Sequence, residues 1–381
     1  MTVNNKDLNL SYWELKQYYT QWDLIVAGSG IVGLSTALSF SELCPAARIL
    51  ILERGVLPSG ASTKNAGFAC FGTMGELLDD LANMPDASVW NTVKMRWEGL
   101  QLLKNRIGLD KMDYEQLGGY ELFFEEDEFE TASSRIPELN KRMDSLLGIK
   151  NCFETVRAED FGFRGVKGII RNGHEGQIDT GKTISYLLTL ARQNGISVLN
   201  AVGLTKISED HNFVNVTTSS GDFRCTRLVV ATNGFARELL EINDVQPARA
   251  QVLVTSPIED LPFRGSFHFD KGYYYFRNIH DRVLFGGGRH LARKEETTTT
   301  NALNVKIQSE LARLLREQIL PYRRFSIDHQ WTGIMGMGNE KAPIIKKTGN
   351  RTVAAVRMGG MGIAIGSLVG RRAAEMACTI E

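Results

Sequence analysis

Three stretches of this 381-residue chain combine residue types and spacings that can do chemistry. The first is "GSGIVG" at 28–33, with Glu53 standing 20 residues beyond Gly33. In that pattern Gly28 permits a tight turn, Gly30 lets backbone approach a pyrophosphate, and Gly33 lets a helix pack closely on a strand. Phosphate oxygens would rest on the free N–H groups and positive end of the helix that follows, beside Ser29 and Ile31. Glu53 can accept hydrogen bonds from both hydroxyls of an adenosine ribose, and its charge disfavours a 2′-phosphate. The second stretch is "GASTKNAGFACFG" at 60–72, where ten of thirteen residues are Gly, Ala, Ser, Thr, Asn or Cys. It is either slack linker or backbone shaped around a ligand, and it holds Lys64 and Cys70 between glycines. The third is "GYYYFRNIHDRVLFGGGRH" at 272–290. Alternation with period two puts Tyr273, Tyr275 and Arg277 on one face of a strand there.

The elements around these stretches are those the chemistry requires. "DLIVAG" at 23–28 is a short apolar run fitting a buried strand, Ile31 to Leu43 has helical spacing, and "RILILE" at 48–53 reads as a second buried strand. Strand, glycine turn, helix and strand make a parallel β-α-β unit. Residues 73–107, 126–147 and 180–194 read as helical. Strand-like runs crowd between 247 and 288, which implies an antiparallel sheet, and Gly362 to Cys378 reads as a final helix. The expected fold is thus α/β: a Rossmann-like parallel-sheet domain interleaved with an antiparallel-sheet substrate domain. The boundaries drawn are 1–80, 150–245 and 335–381 for the first domain, and 81–149 and 246–334 for the second.

Bulk composition excludes several classes of function. Lysine plus arginine equals aspartate plus glutamate, 44 each, so there is no global electrostatic case for nucleic acid or an anionic membrane. Hydrophobic content of 43% and charged content of 23% are those of an ordinary globular protein. Five cysteines without metal-ligand or redox-motif spacing read as reduced thiols, so a cytoplasmic location is expected and no metal. The start, "MTVNNKDLNL", lacks the apolar core of a signal peptide, and no apolar run is long enough for an integral membrane segment. Oligomeric state is left open.

Four further segments show a resemblance to the D-amino-acid oxidase (DAO-type) family of FAD-dependent amine oxidoreductases. "GASTKNAG" resembles the family's loop after the ribose-binding glutamate, with lysine where arginine is common. "GQIDTGKTISYLLTLARQNGISVLNAVGLTKI" at 176–207 resembles the unit whose later residue, here Leu204, meets adenine through its backbone. "LVVATNGFA" at 228–236 resembles the strand whose end, Thr232, Asn233 and Gly234, lies against the cofactor. "RMGGMGIAIGSLVGRRAAEM" at 357–376 resembles the C-terminal glycine turn and helix, whose N-terminus faces the flavin pyrimidine edge. The resemblance implies non-covalent FAD, with no cysteine on the strand where some members attach it. The implied contacts are Gly28, Ser29, Gly30, Ile31, Gly33, Glu53, Arg54, Ser62, Thr63, Lys64, Asn65, Ala66, Gly67, Leu204, Thr232, Asn233, Gly234, Gly360, Met361, Gly362, Ile363 and Ala364.

The same resemblance sets the expectations for catalysis. Tyr273 falls where the family often places a substrate-contacting tyrosine, and Tyr275 and Arg277 join it as candidate catalytic residues. Family amino-acid oxidases commonly clamp the substrate carboxylate with an arginine, and here that position is Met335. "WTG" at 331–333 is similar to the branch acting on amines distant from a carboxylate. The place where some oxidases hold a lysine over the flavin is apolar, near Leu284. Cys70 reads as small core filler, and His290 and His329 read as structural. The expected activity is oxidation of a small amine or amino-acid derivative to an imine, with oxygen or another electron acceptor. Oxidation of a hydroxy acid or glycerol-phosphate type substrate, or a flavin-holding subunit of a larger complex, stand as alternatives.

Overall fold

A computed structural model describes residues 9–380; the polar start of the chain, residues 1–8, therefore lies outside the described residues. Two eight-stranded sheets organise the rest. In the first, Gln21–Ala27 lies between Ile49–Leu52 and Gly221–Val230, all three parallel. Ser197–Leu199 extends it on one side and Thr352–Val356 on the other, again in parallel. Leu24, Ile25 and Val26 are wholly buried, as a strand covered on both faces requires. Register brings Ala27 level with both Leu52 and Val230, so the carboxyl ends of three strands open onto one crevice. In open α/β sheets that crevice is where ligands bind.

Two helices close over this sheet. Ile31–Leu43 is buried continuously from Ile31 to Phe40, because Gly362–Cys378 covers the side turned away from the strands. Their contact is backbone-close: a Cβ on Gly366 would stand 2.9 Å from Ile31 Cγ2, and one on Gly370 would stand 2.7 Å from the Val32 carbonyl. Ser35 and Ser367 hydroxyls meet across it at 3.2 Å. Asp86–Ile107 packs on the final helix in turn, with Gly99 against the Ala364 carbonyl.

The second sheet runs Ile327–Met337, Gln246–Thr255, Arg282–Gly287, Tyr274–Ile279, Ser266–Phe269, Gly119–Phe123, Gly168–Asn172, Phe153–Val156. Its neighbours are antiparallel except Ser266–Phe269 beside Gly119–Phe123. One face carries Phe267, Phe269, Tyr274, Phe276 and Phe285, which bury against Ile307, Leu311, Leu314 and Leu315. Phe267 and Phe276 stack at 4.8 Å within that core. The opposite face carries His268, Tyr275, Arg277 and Glu121 and turns toward the first sheet's crevice.

Two sequence expectations change here. Phe153–Val156 and Gly168–Asn172 fall inside the range assigned to the cofactor domain, yet they extend the antiparallel sheet through Gly119–Phe123. Strand pairing between distant segments overrides their position in the chain. The face shared by Tyr273, Tyr275 and Arg277 loses Tyr273. Asp270, Lys271 and Gly272 all take left-handed backbone, and Tyr273 N–H donates to the Asp270 carbonyl, so the strand starts at Tyr274. Among the described residues no helix is long and apolar enough to cross a membrane. Replacing Phe276 with alanine should destabilise the aromatic core by about 3–5 kcal/mol. That would be seen as a lower thermal or urea midpoint.

Candidate cofactor and substrate site

The glycine turn at 28–33 has the geometry its spacing requires. Gly28 has φ +102°, and a Cβ on Gly33 would lie 1.9 Å from the Gly28 carbonyl oxygen. A Cβ on Gly30 would lie 2.8 Å from Ser62 Oγ. Gly30 begins the helix without a side-chain cap, which leaves first-turn N–H groups to be satisfied by a ligand. Ser62 Oγ accepts one of them, from Ile31, at 3.0 Å. Glu53 is buried at the end of its strand. Its Oε2 accepts from Ser29 N–H (3.0 Å) and Ser29 Oγ (2.7 Å), and its Oε1 from Gly55 N–H (2.8 Å). Each oxygen keeps acceptor capacity for a hydroxyl.

Arg54 leaves Glu53 toward solvent and lies 4.0 Å over the Phe235 ring. The segment before Leu204 approaches this corner: Val202 N–H donates to the Glu53 carbonyl at 2.8 Å, and Ala201 N–H to Gly55 at 2.9 Å. Leu204 itself starts the strand Leu204–Glu209 and packs its side chain on the cluster around Trp22 and Phe223. The backbone bonded to Glu53 and Gly55 is Ala201–Val202, just ahead of Leu204.

The loop 60–72 is folded by its own polar groups. Ala61–Lys64 forms one helical turn. Asn65 Nδ2 donates to the Ala61 (3.0 Å) and Ser62 (2.8 Å) carbonyls, while its Oδ1 accepts from Gly67 N–H at 2.7 Å. Thr63 Oγ1 donates to the Pro58 carbonyl at 2.8 Å. Trp331 Nε1 donates to the Lys64 carbonyl at 3.0 Å, tying the loop to the second sheet. The Lys64 amine is half-buried, and no hydrogen bond or ion pair ties it to another described residue. Gly67 takes φ +76°, and a Cβ there would meet the Ile178 carbonyl at 2.4 Å and Arg277 Nη1 at 2.8 Å. Ala66 is buried beside Val252 and Leu284, and Leu284 keeps that spot apolar.

The segments 232–234 and 357–364 meet behind this loop. Asn233 takes φ 47°, and its Oδ1 accepts from Arg357 N–H (3.1 Å) and Met358 N–H (3.3 Å). The Thr232 hydroxyl is buried without a partner among the described residues. Gly234 abuts the Met335 carbonyl. Gly360 takes φ +83°, with the Met335 sulfur 3.6 Å from where its Cβ would be. Met361 caps the final helix, and Gly362, Ile363 and Ala364 form its first turn. Arg357 holds left-handed backbone at φ 66°, pinned by Asp244, by Glu340 at 3.3 Å and by the Ala342 carbonyl at 2.8 Å. Uncapped helix N–H groups, a glycine cradle, a carboxylate at a strand end and an orphaned buried hydroxyl are together the donor and acceptor set a flavin dinucleotide needs. The residues fit the group.

On the substrate side the three candidates separate. Tyr273 is 45% exposed and rests edge-on against His290 at 4.7 Å. It does not face the crevice. Tyr275 does: its ring lies across Gly286 and edge-on to Phe68 at 5.6 Å, and its hydroxyl makes no hydrogen bond among the described residues. Burial pushes that phenol up to about 12. Arg277 is buried, and its Nη1 donates to the Gly67 carbonyl at 3.0 Å and the Ile178 carbonyl at 2.9 Å. Its Nε has no partner among the described residues, and burial pulls the guanidinium down to about 10. Arg277 holds the loop; it is a positioning residue.

The sequence reading passed over His268. It lies on Ser266–Phe269 in register with Tyr275, with its ring 4.9 Å from Phe68. Its Nε2 is buried without a partner among the described residues, and burial drops the imidazole to about 4, so it is neutral at physiological pH. The signal was the alternation "SFHF", which sends Phe267 and Phe269 into the core and His268 to the other face. His329 stacks on Trp331 at 5.7 Å, and His290 packs on Tyr273 and Tyr274. Below His268 lies a charged floor. Arg96 holds Glu76 through two bonds of 3.0 and 3.2 Å, and Lys341 reaches Glu76 at 3.0 Å and Asp80 at 2.6 Å. Burial would raise the Glu76 carboxyl, but these two cations hold it at about 2. Glu121, in register with His268, accepts from Gly75 N–H at 2.5 Å, and burial raises it to about 7. Cys70 is buried beside Glu175, which accepts from Phe71 and Gly72 N–H. Burial raises the Cys70 thiol well above its usual range, which makes it inert filler.

Gly30→Val should purify folded by circular dichroism but without flavin absorbance. Arg277→Gln removes one of the two donors to the Gly67 carbonyl and should weaken FAD affinity by about tenfold or more, read by flavin fluorescence on dilution.

The comparisons agree with this geometry. The family model for DAO, FAD dependent oxidoreductase, matches residues 23–376. A search of curated proteins gave no match. Among solved structures, L-proline dehydrogenase from P. horikoshii is similar at 17% identity and TM-score 0.75, over 94% of this chain and 93% of that one. L-amino acid deaminase from Proteus vulgaris is similar at 16% identity and TM-score 0.75, over 95% and 94%. Glycine oxidase from Geobacillus kaustophilus is similar at 16% identity and TM-score 0.75, over 95% of each chain. At such identity these structures speak for the fold, while the family match spans nearly the whole sequence. The chain belongs to the DAO family of FAD-dependent oxidoreductases.

Proposed function

We propose that this enzyme oxidises the C–N bond of a small amine or amino-acid derivative to an imine with non-covalent FAD. When bound, FAD supplies the hydride acceptor for that oxidation. The observation that carries the amine reading is His268, a neutral, buried, unpartnered base on the sheet face turned to the cofactor loop. An ammonium substrate must lose one proton before its α-carbon can give up hydride. His268 Nε2 is the acceptor within the crevice, and Glu121 beside it is the next station toward the Glu76–Lys341 rim. Tyr275 orients the substrate through its free hydroxyl, while Phe68 and Leu284 exclude water. The neighbouring structures bear the names of a proline dehydrogenase, an amino acid deaminase and a glycine oxidase, which favours amine chemistry over hydroxy acids.

The residue set narrows the substrate. Met335 offers a thioether beside Gly360, and Arg277 already gives two bonds to backbone carbonyls. Neither provides a forked clamp for a carboxylate, so an amine without an adjacent carboxylate fits better than a simple α-amino acid. For the cofactor, Gly28, Ser29, Gly30, Ile31 and Gly33 hold the pyrophosphate and Glu53 the ribose. Ser62 to Gly67, Thr232 to Gly234 and Gly360 to Ala364 line the flavin.

Anaerobic mixing of the FAD-loaded protein with benzylamine, putrescine, sarcosine, glycine, L-proline, lactate and glycerol 3-phosphate tests this reading. An amine should bleach the flavin and the two hydroxyl compounds should not; the reverse, or no bleaching by any, contradicts it. Reoxidation with oxygen or a quinone then identifies the acceptor. His268→Gln should slow reduction by the best amine at neutral pH by about 100-fold. The deficit should shrink as pH rises toward the amine's own pKa, where free base arrives already deprotonated. An equal loss at every pH would mean that His268 serves only packing.

A further inference from the structure

Two thiols stand away from the crevice and take no part in it. Cys44 caps the carboxyl end of Ile31–Leu43, and Cys378 is the last residue of Gly362–Cys378. These helices run parallel: Gly366 meets Ile31, Ser367 meets Ser35, and the same alignment carried to their ends brings Cys378 to Cys44. The two sulfurs lie 3.5 Å apart, and both residues are half-buried, within reach of small solutes. The other three cysteines, Cys70, Cys152 and Cys225, are fully buried.

We propose that Cys44 and Cys378 form an oxidisable dithiol that a hydroperoxide closes to a disulfide, locking together the two helices whose N-termini frame the cofactor site. The sulfurs must approach by about 1.5 Å to bond. Cys44 sits past the last turn of its helix and Cys378 at the end of its own. Burial, and then the neighbouring Cys44, pushes the Cys378 thiol up to about 12, so Cys378 keeps its proton. The Cys44 sulfur attacks the hydroperoxide, the O–O bond breaks, an alcohol (or water, from hydrogen peroxide) leaves, and Cys44 becomes a sulfenic acid. The Cys378 sulfur then attacks the Cys44 sulfur, and its proton leaves with the hydroxyl as water. Two thiols and one hydroperoxide thus give one disulfide, one alcohol and one water.

The test uses the FAD-loaded protein treated with hydrogen peroxide, capped with N-ethylmaleimide before and after denaturation, digested without reductant and examined by mass spectrometry. A peptide linking Cys44 to Cys378 should appear, and three of the five thiols should remain. The thermal midpoint should rise by about 3–10 °C and fall back on adding dithiothreitol. Cys44→Ser and Cys378→Ser should each keep FAD and lose both the linked peptide and the shift. A peptide joining any other pair, or Cys44 and Cys378 recovered only as capped or individually oxidised thiols, overturns the proposal. A linked peptide with no reversible thermal shift overturns the locking role.

Discussion

A single buried carbonyl, that of Gly67, joins the two halves of this enzyme. It accepts at once from Arg277 of the substrate sheet and from Ile178 N–H, at 3.0 and 2.9 Å. The guanidinium then returns to the Ile178 carbonyl, so three distant segments share one charge-assisted knot. A buried cation without a carboxylate partner is costly, and it persists only where backbone dipoles replace water. Glycine is required at 67 because its φ is left-handed and a Cβ would collide with both partners. Once that knot is tied, the loop 60–72 can no longer slide, and its two sides acquire different tasks.

On one side the loop completes the dinucleotide cradle. Ser62 reaches the fingerprint helix, and the Lys64 carbonyl is held by Trp331 from the opposite sheet. On the other side Phe68 presents its ring to Tyr275 and His268. The cofactor wall and the substrate wall we propose are therefore consecutive residues of one short segment. The charged floor pairs two carboxylates, Glu76 and Asp80, with two cations, Arg96 and Lys341, while burial keeps His268 neutral.

The parts of this arrangement that depend on neighbouring residues were legible in the sequence. The glycine spacing, the strand–helix–strand start and the final helix Gly362–Cys378 all rest on local periodicity, and the structure has them at those positions. What depended on long-range pairing was not. Tyr273 was assigned to the crevice because alternation was counted through a turn that holds left-handed backbone up to Gly272. Leu204 starts a strand, and the segment bonded to Glu53 and Gly55 is the preceding Ala201–Val202. The alternation "SFHF" placed His268 on a face, but what that face meets is set by Phe68 and Tyr275, which come from other segments. Arg277 carried a chemistry-bearing residue type, but only the fold shows its donors turned to carbonyls.

The central claim is that one tied loop presents cofactor on one flank and substrate on the other. A crystal structure of the FAD-loaded protein tests it most directly. The flavin ring should lie between the Ser62–Gly67 segment and the face bearing Tyr275 and His268, with Arg277 still bonded to Gly67 and Ile178. A ring lying away from that face, or a bound state in which Arg277 has released Gly67, would contradict it.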